Sequence, residues 1–151
     1  MRAIPYLNFN GQCEAAFRFY ETLLGGEIQA LMPFAGTPGE EYVPAEFRSK
    51  VMHACLKFGA DQFIMGSDAF GEMYKPMQGM SVTLTIEDPS EAERVFNALA
   101  ERGTVRMPLQ ETFWALRFGD VLDAFGTPWM INCSRPDFVP AQKPEAQRSV
   151  A

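Results

Sequence analysis

The alternation of apolar and polar positions predicts eight short strands and two helices along the chain. Runs with a period of two, or rich in β-branched and aromatic residues, mark strands, whereas apolar repeats at three and four positions mark helices. Each predicted helix lies between the first and second strand of a group of four. The predicted strands cover residues 2–9, 26–33, 50–58, 61–67, 79–86, 104–110, 112–119 and 127–133.

Both predicted helices carry a single apolar stripe that would face a sheet. In the first helix, over residues 12–24, the stripe consists of Cys13, Ala16, Phe17, Tyr20 and Leu24. The second helix ends at Gly103, and its start has clear signals: Asp88 is an expected N-cap, Pro89 suits the first helical position and Glu91 completes a capping box. Its stripe consists of Ala92, Val95, Phe96 and Leu99.

Two segments resemble each other and predict an internal duplication. FGADQFIMGS (58–67) and FGTPWMINCS (125–134) share Phe, Gly, Ile and the final Ser, sixty-seven positions apart. Four residues of the first helical region recur seventy-seven positions later, namely Glu14, Ala15, Phe19 and Gly26. The two offsets imply about ten extra residues in the first half, which the Gly- and Pro-rich segment 35–47 would accommodate.

Each half therefore reads strand, helix, strand, strand, strand, which predicts an α+β protein of two βαβββ modules. The first module spans 1–67, the second spans 79–134 and residues 68–78 connect them. Residues 135–151 are rich in Pro and polar side chains, so we expect a flexible tail. A helix covers only one face of each sheet. We therefore expect the sheets to curve toward each other, or toward a second chain, around a cavity.

Composition narrows the class of ligand. The formal net charge is −6, and no run of Lys or Arg is present, which argues against nucleic acid or an anionic membrane as a partner. No stretch approaches twenty apolar residues and the N-terminus lacks signal-peptide features, so we expect a cytoplasmic protein. The glycine- and histidine-based motifs of phosphate, dinucleotide, serine-hydrolase and zinc-protease sites are absent. A neutral or apolar small molecule fits better.

The three cysteines, Cys13, Cys55 and Cys133, are irregularly spaced and odd in number, so we expect reduced thiols packed as small hydrophobes. The only histidine, His53, shares a strand face with Cys55, so an activated thiol stays an open but less favoured hypothesis. His53 itself would either bond locally or serve a ligand as proton donor or acceptor.

Four stretches carry a resemblance to a known family: YLNFNGQCEAAFRFY (6–20), MHACLKF (52–58), IMGSDA (64–69) and QETFWALRFGDVLDAFGTPWMIN (110–132). They resemble the vicinal oxygen chelate superfamily of glyoxalase I, bleomycin-resistance proteins and extradiol dioxygenases. Their specific residues resemble the PhnB-like branch of this superfamily. The resemblance covers most of residues 4–134. It implies a glyoxalase-like fold, a curved mixed sheet around a cavity, and a homodimer, since cavities in this superfamily are often completed across two chains.

The resemblance also implies where a metal would bind. Metal-dependent members carry His or Glu on the first and last strand of each half, and these positions correspond here to Pro5, Met65 (or Phe63), Ser81 and Met130. None is a good ligand for a hard divalent ion. We therefore expect the usual metal site to be lost and predict no cofactor, although a divalent metal held by other residues stays open.

The other pocket candidates come from strand parity and from the resemblance. Asn132 shares a face with Met130, whereas Trp129 would turn to the helix. The resemblance places Trp114 near the pocket, although a core aromatic is an equal interpretation. Asp68 begins a loop whose apolar residues could form a lid, or it is a turn residue. The full predicted ligand pocket is His53, Phe63, Met65, Asp68, Ser81, Trp114, Met130 and Asn132.

Two residues are candidate acid–base groups, His53 and, through the resemblance, Glu111. Asp120 and Asp123 lie in a Gly-bounded turn and are interpreted as turn residues. The predicted function is a metal-independent pocket for a small apolar or aromatic molecule. The alternative is a metal-dependent or His-assisted enzyme of lyase, isomerase or dioxygenase type. Names given to this branch refer to phosphonate metabolism and to a ubiquinone-pathway methyltransferase. The sequence supports neither name, because it contains no methyl-donor glycine motif and no evident anion cradle.

Overall fold

The computed structural model describes residues 1–138. These residues form eight strands and two helices, with three short 3₁₀ turns at Pro38–Tyr42, Ala45–Phe47 and Gly71–Met73. The helices and strands are β1 (Tyr6–Phe9), α1 (Cys13–Leu24), β2 (Glu27–Pro33), β3 (Val51–Phe58), β4 (Gln62–Asp68), β5 (Val82–Thr85), α2 (Pro89–Ala100), β6 (Thr104–Gln110), β7 (Ala115–Leu122) and β8 (Pro128–Ser134).

The strand pairing confirms the predicted duplication and the α+β fold. One sheet has the order β1-β4-β3-β2 and the other the order β5-β8-β7-β6. The parallel pairs are β1 with β4 in one sheet and β5 with β8 in the other, and the remaining pairs are antiparallel. Two of the 3₁₀ turns lie within or beside the segment 35–47, where the extra residues of the first half were predicted.

Helix α1 packs the predicted stripe against the first sheet, with one change. The buried residues are Cys13, Ala16, Phe17, Tyr20 and Leu23, whereas Leu24, predicted for the stripe, is only partly buried. The helix ends at Leu24 and is capped by Gly25, whose φ of 61° is the left-handed conformation that glycine adopts without strain.

Helix α2 buries all four residues of its predicted stripe. The side chain of Asp88 accepts a hydrogen bond from the Ser90 amide at 2.8 Å, which confirms the N-cap. The reciprocal half of the predicted capping box is not formed, because the Glu91 carboxylate pairs with Arg94 one turn along the helix.

Three predicted strands begin at least three residues later in the structure, namely β1, β7 and β5, which begins at Val82 instead of residue 79. β1 begins at Tyr6, because Pro5 has no amide hydrogen to continue a ladder, although its carbonyl accepts the Met65 amide at 3.0 Å. β7 begins at Ala115, because Thr112 closes a turn: its amide donates to the Ala115 carbonyl and its hydroxyl accepts the Ala115 amide, both at 3.0 Å.

The helix-covered sides of the two sheets join in a single core, and a buried polar network links the halves. The Tyr20 hydroxyl on α1 donates to Asp123 at 2.6 Å and lies 2.9 Å from the Thr127 hydroxyl. Trp129 donates its indole N–H to the same carboxylate at 2.9 Å. Burial, and secondarily the charge of Asp123, raises the pKa of Tyr20 well above its ordinary value.

Asp123 also has the turn role that the sequence predicted. One of its carboxylate oxygens accepts the amides of Phe125 and Thr127 at 2.8 and 2.9 Å, while the other accepts Tyr20 and Trp129. A local turn and a contact between the two halves therefore share one buried carboxylate.

Because both helix-covered sides contribute to one core, the opposite side of each sheet lies on the outside of the chain. Several large apolar side chains are exposed there, including Tyr6 and Met32 on the first sheet and Met107 on the second. We call these two surfaces the first and second open face. Among the described residues, no helix has the length and apolar character needed to cross a bilayer.

Candidate functional site

The first open face is formed by alternate residues of β1, β4 and β3. The pairing places Tyr6 beside Met65 and Met65 beside Cys55, while Lys57 lies beside Phe63. The intervening residues face α1: a Cβ added at Gly66, for example, would lie 2.9 Å from the Phe17 ring. The first open face therefore carries the residues Tyr6, Asn8, His53, Cys55, Lys57, Phe63, Met65 and Ser67, together with Met32 of β2, which pairs with His53.

A tyrosine and the only histidine contact each other on the first open face. The Tyr6 hydroxyl lies 3.4 Å from His53 Nδ1, and the two rings stack with centroids 6.0 Å apart. His53 is half-buried, and Tyr6 is 46% exposed. The sequence prediction included His53, Phe63 and Met65 but missed Tyr6, because the contact spans two strands and 47 positions of sequence.

The second open face repeats this arrangement in the other half. Met130 pairs with Thr83 and Asp120, and Asn132 pairs with Thr85 and Phe118. Trp114 packs edge-to-face on Phe118, with centroids 5.4 Å apart. Since paired residues point to the same side of a sheet, the predicted residues Met130, Asn132 and Trp114 do come together. Trp129 faces the helix and is fully buried, as strand parity predicted.

An ion pair lies on the second open face near Ser81. The Arg106 guanidinium bonds to Asp120 at 2.6 and 3.1 Å and to the Ser81 hydroxyl at 3.3 Å. Asp120 was interpreted as a turn residue, but the structure places it within β7 as the partner of Arg106. This pair could not be predicted from strand periodicity, because Arg106 lies at an irregularity in the β6–β7 ladder.

Asp68 does not lie with the other predicted pocket residues. It pairs with Phe9 on the helix-covered side of the first sheet and is buried. Its two carboxylate oxygens accept the amides of Cys13 and Val51, each at 2.9 Å. These bonds fix the start of α1 to the start of β3, so the structure gives Asp68 a structural position.

Glu111, a candidate acid–base residue, lies in the exposed turn between β6 and β7. It forms an ion pair with Arg135, whose guanidinium also donates to the Thr112 carbonyl at 3.1 Å. Phe113 in the same turn is 78% exposed and contacts Trp114 and Phe138. Residues 135–138 of the predicted tail thus pack on this turn, and the rest of that tail lies outside the described residues.

The three cysteines are all free and buried, as predicted. Cys13 lies at the start of α1, where burial, followed by the charges of Asp68 and Glu14, strongly raises the pKa of its thiol. Cys133 donates to the Glu87 carbonyl on the helix-covered side. Cys55 alone lies on an open face, between Met65 and Ala30.

A cleft of about 680 Å³ separates the two halves. It is lined by residues 1–5 of the N-terminal segment, by the start of β4 and by β5. Arg2 lies 4.9 Å above the ring of Phe63 and pairs with Asp61 at 2.6 Å. Phe63 is the one predicted pocket residue in this cleft. Thr83 and Thr85 of the second open face also line it, so the cleft adjoins the edges of both open faces.

The sequence matches a family model described as 3-demethylubiquinone-9 3-methyltransferase over residues 1–132. This chain belongs to that family, the PhnB-like branch of the glyoxalase, bleomycin-resistance and dioxygenase superfamily. The resemblance proposed from the sequence is confirmed. More distant solved structures of the superfamily share the fold alone.

Three relatives are similar to most of the chain. Protein YjdN of Escherichia coli (strain K12) is 35% identical over 136 residues, covering 85% of this chain and 92% of that protein. The structure of protein PA1353 from Pseudomonas aeruginosa is 44% identical with a TM-score of 0.81, covering 89% and 98% of the two chains. A putative 3-demethylubiquinone-9 3-methyltransferase, PhnB protein, from Bacillus cereus is 27% identical with a TM-score of 0.71, covering 89% and 100%.

The positions to which the sequence resemblance assigned the superfamily's metal ligands lie on both open faces or at their edges. Met65 and Met130 occupy the centres of the two faces, while Pro5 and Ser81 immediately precede β1 and β5. Within residues 1–138, no three His, Cys, Asp or Glu side chains come together as a metal-binding group. A hard divalent ion prefers carboxylate, imidazole and water ligands, so these four residues do not fit it.

Proposed function

We propose that this PhnB-like protein binds a small apolar or aromatic molecule, and that its pocket forms between the first open face of one chain and the second open face of another. The observation that carries the proposal is the outward position of both faces. Each has half-buried or exposed apolar and aromatic side chains around a few polar groups, a composition typical of ligand pockets.

Symmetry supports a dimer in which unlike faces meet. If the first face paired with its own copy, a two-fold axis would close that dimer, but the second face of each chain would stay bare. When the first face of each chain covers the second face of its partner, a two-fold axis closes the assembly and creates two identical cavities. The exposed side chains of Tyr6 and Met107 would then be covered.

The side chains of the two faces indicate the chemistry of the ligand. Phe63, Met65, Phe118 and Met130 offer soft apolar contacts that adapt to the shape of an aromatic ring. Hydrogen bonds are available from His53 on one face and Asn132 on the other, and the net charge of −6 disfavours strongly anionic ligands. The proposal requires no cofactor, and the three reduced thiols fit a cytoplasmic protein.

One observation favours an enzyme as the second candidate function. Tyr6 Oη and His53 Nδ1 are 3.4 Å apart on the first open face, a pair that could exchange a proton with a ligand. A lyase, isomerase or dioxygenase-type reaction would use His53 in this way, alone or with a metal. Stoichiometric Ni, Zn, Mn or Fe in the purified protein, lost in His53→Ala, would favour the enzyme over the simple binding protein.

Sedimentation equilibrium tests the assembly. We expect twice the chain mass at micromolar concentration, and we expect Thr83→Arg to shift the equilibrium toward the monomer, because it places an unpaired charge on the second open face. Asn97→Arg, on an exposed position of α2, is the matched control and should leave the dimer intact. A monomeric wild-type protein, or equal effects of the two variants, would contradict the proposed interface.

A further inference from the structure

The first open face brings together four soft donor groups from the first half of the chain. Cys55 on β3 lies directly beside Met65 on β4, and His53, two residues before Cys55, lies directly beside Met32 on β2. Directly paired residues of antiparallel strands have Cβ atoms about 4.5–5.5 Å apart, close enough for their side chains to meet at one atom. A thiol, two thioethers and an imidazole therefore border one small area of the sheet.

These donors are available for a ligand. Within the described residues, neither Cys55 nor Met65 makes a side-chain hydrogen bond, whereas Cys133 bonds to the Glu87 carbonyl and the thioether of Met52 accepts the Thr37 hydroxyl. His53 presents Nδ1 to Tyr6 at 3.4 Å, which leaves Nε2 free. A partner at one ring nitrogen is the usual way in which a protein orients a metal-binding imidazole.

We propose that this cluster binds one soft monovalent metal ion, Cu(I) or its analogue Ag(I). Cys55, Met65 and His53 would be the ligands, with Met32 at the exposed rim. Thiolate and thioether sulfur select soft ions over the hard divalent ions of the superfamily's usual site. Of the four positions that resemble that site, only Met65 belongs to this cluster.

The charge balance also favours a monovalent ion. One thiolate neutralises one positive charge, so the half-buried complex would carry no net charge, whereas a divalent ion with the same ligands would leave a charge to be solvated. Cys55 is 8% exposed, so desolvation is substantial. Binding releases the Cys55 proton to solvent as the sulfur–metal bond forms, and no electron is transferred.

This inference does not require the proposed small-molecule pocket, although Met65 and His53 belong to both sites, because all four donors belong to one sheet of one chain. Neither a second chain nor an organic ligand is needed. Failure of either experiment therefore leaves the other conclusion unaffected.

Competition with a coloured Cu(I) chelator tests the proposal. The full-length protein, metal-free and under anaerobic conditions, is titrated into the Cu(I) complex of bicinchoninate, and the loss of chelator absorbance is followed. We expect one Cu(I) to be withdrawn per chain, and Ag(I) to displace it. We expect Cys55→Ser to abolish the withdrawal, and Tyr6→Phe, which removes the partner of the imidazole, to weaken it by about tenfold.

Two further variants keep the result interpretable. Met65→Leu has nearly the same volume and removes only a thioether, so it should weaken Cu(I) binding even if Cys55→Ser fails to fold, as judged by circular dichroism. Met73→Leu removes an exposed thioether from the loop after β4, outside both open faces, and should bind as the wild type does. No withdrawal by the wild-type protein, or withdrawal that is unchanged in Met65→Leu, would overturn the proposal.

Discussion

Single residues decide how the two halves hold together, and Tyr20 is the clearest case. Its hydroxyl on α1 reaches Asp123 and Thr127 in the loop after β7, more than 100 positions away. The carboxylate is buried, so each of its four hydrogen bonds offsets part of the desolvation of its charge. Losing one donor is therefore costly, although the aromatic ring of Tyr20 would still fill its space.

We predict that Tyr20→Phe lowers the free energy of unfolding by about 1–3 kcal/mol at neutral pH, because it leaves a buried carboxylate with one bond fewer. Urea unfolding followed by circular dichroism measures this change. Tyr42→Phe is the matched control, since Tyr42 is 82% exposed, and should change little. Equal effects of the two substitutions would show that the buried network does not join the halves.

Because the pKa of Tyr20 is raised, Tyr20→Phe should also change how the free energy of unfolding depends on pH in the alkaline range. The native state holds the phenol proton above pH 10, whereas the unfolded chain releases it near the ordinary pKa of 10.0. The contribution of Tyr20 to stability is therefore complete below about pH 10 and is lost as the pH rises further toward the native pKa. Tyr20→Phe should therefore lose less stability above about pH 10 than the wild type does. Identical dependence of stability on pH in the two proteins would contradict this prediction.

At the scale of single residues, positions set by strand alternation were predicted from the sequence, whereas contacts between distant strands were not. Strand parity alone predicted that Met130 and Asn132 share a face while Trp129 is core, and the pairing agrees. Tyr6 and Arg106 were not predicted, because each acquires its role from a partner on another strand. Asp68 looked like a residue at the entrance of a pocket, but two amides from distant segments bind it from the helix-covered side.

At the level of helices and strands, local signals gave the number and order of elements, while tertiary contacts set their ends. α2 begins where Asp88 and Pro89 predicted, yet Glu91 prefers the nearby guanidinium of Arg94 to the reciprocal cap. β7 starts three residues later than predicted, because Thr112 closes a turn that apolar alternation does not reveal. Hydrogen bonds of this kind depend on the rotamer of one side chain, which the apolar–polar pattern of the sequence does not reveal.

The two helices differ at their N-termini, which gives a prediction at this scale. Asp88 caps α2 through the Ser90 amide, whereas Gln12 before α1 makes no side-chain cap bond. We expect Asp88→Ala to destabilise the protein by about 0.5–2 kcal/mol through the lost cap. Gln12→Ala should be nearly neutral in the same urea titration, and comparable losses in both variants would argue against this difference.

At the scale of the whole molecule, the fold explains why the site is hard to derive from one chain. The helix-covered sides of both sheets unite in one core, so the two open faces point outward and neither closes a cavity by itself. The repeated segments of the sequence indicate the duplication. They contain no information on which surfaces meet in an assembly, because that depends on the relative position of the two halves.

The central claim is that the two open faces jointly bind a small aromatic molecule, and the methionines report on it directly. The chain has nine methionines, of which Met65 and Met130 lie at the centres of the two faces, whereas Met73 lies in the exposed loop after β4. The decisive measurement is a ¹³C-methyl-methionine NMR titration with neutral aromatic compounds from phenol to 2-naphthol, assigned by Met→Leu variants. We predict that a binding compound shifts Met65 and Met130 together while Met73 is unchanged; shifts that leave both Met65 and Met130 unaffected, or no shift with any compound, would contradict the account.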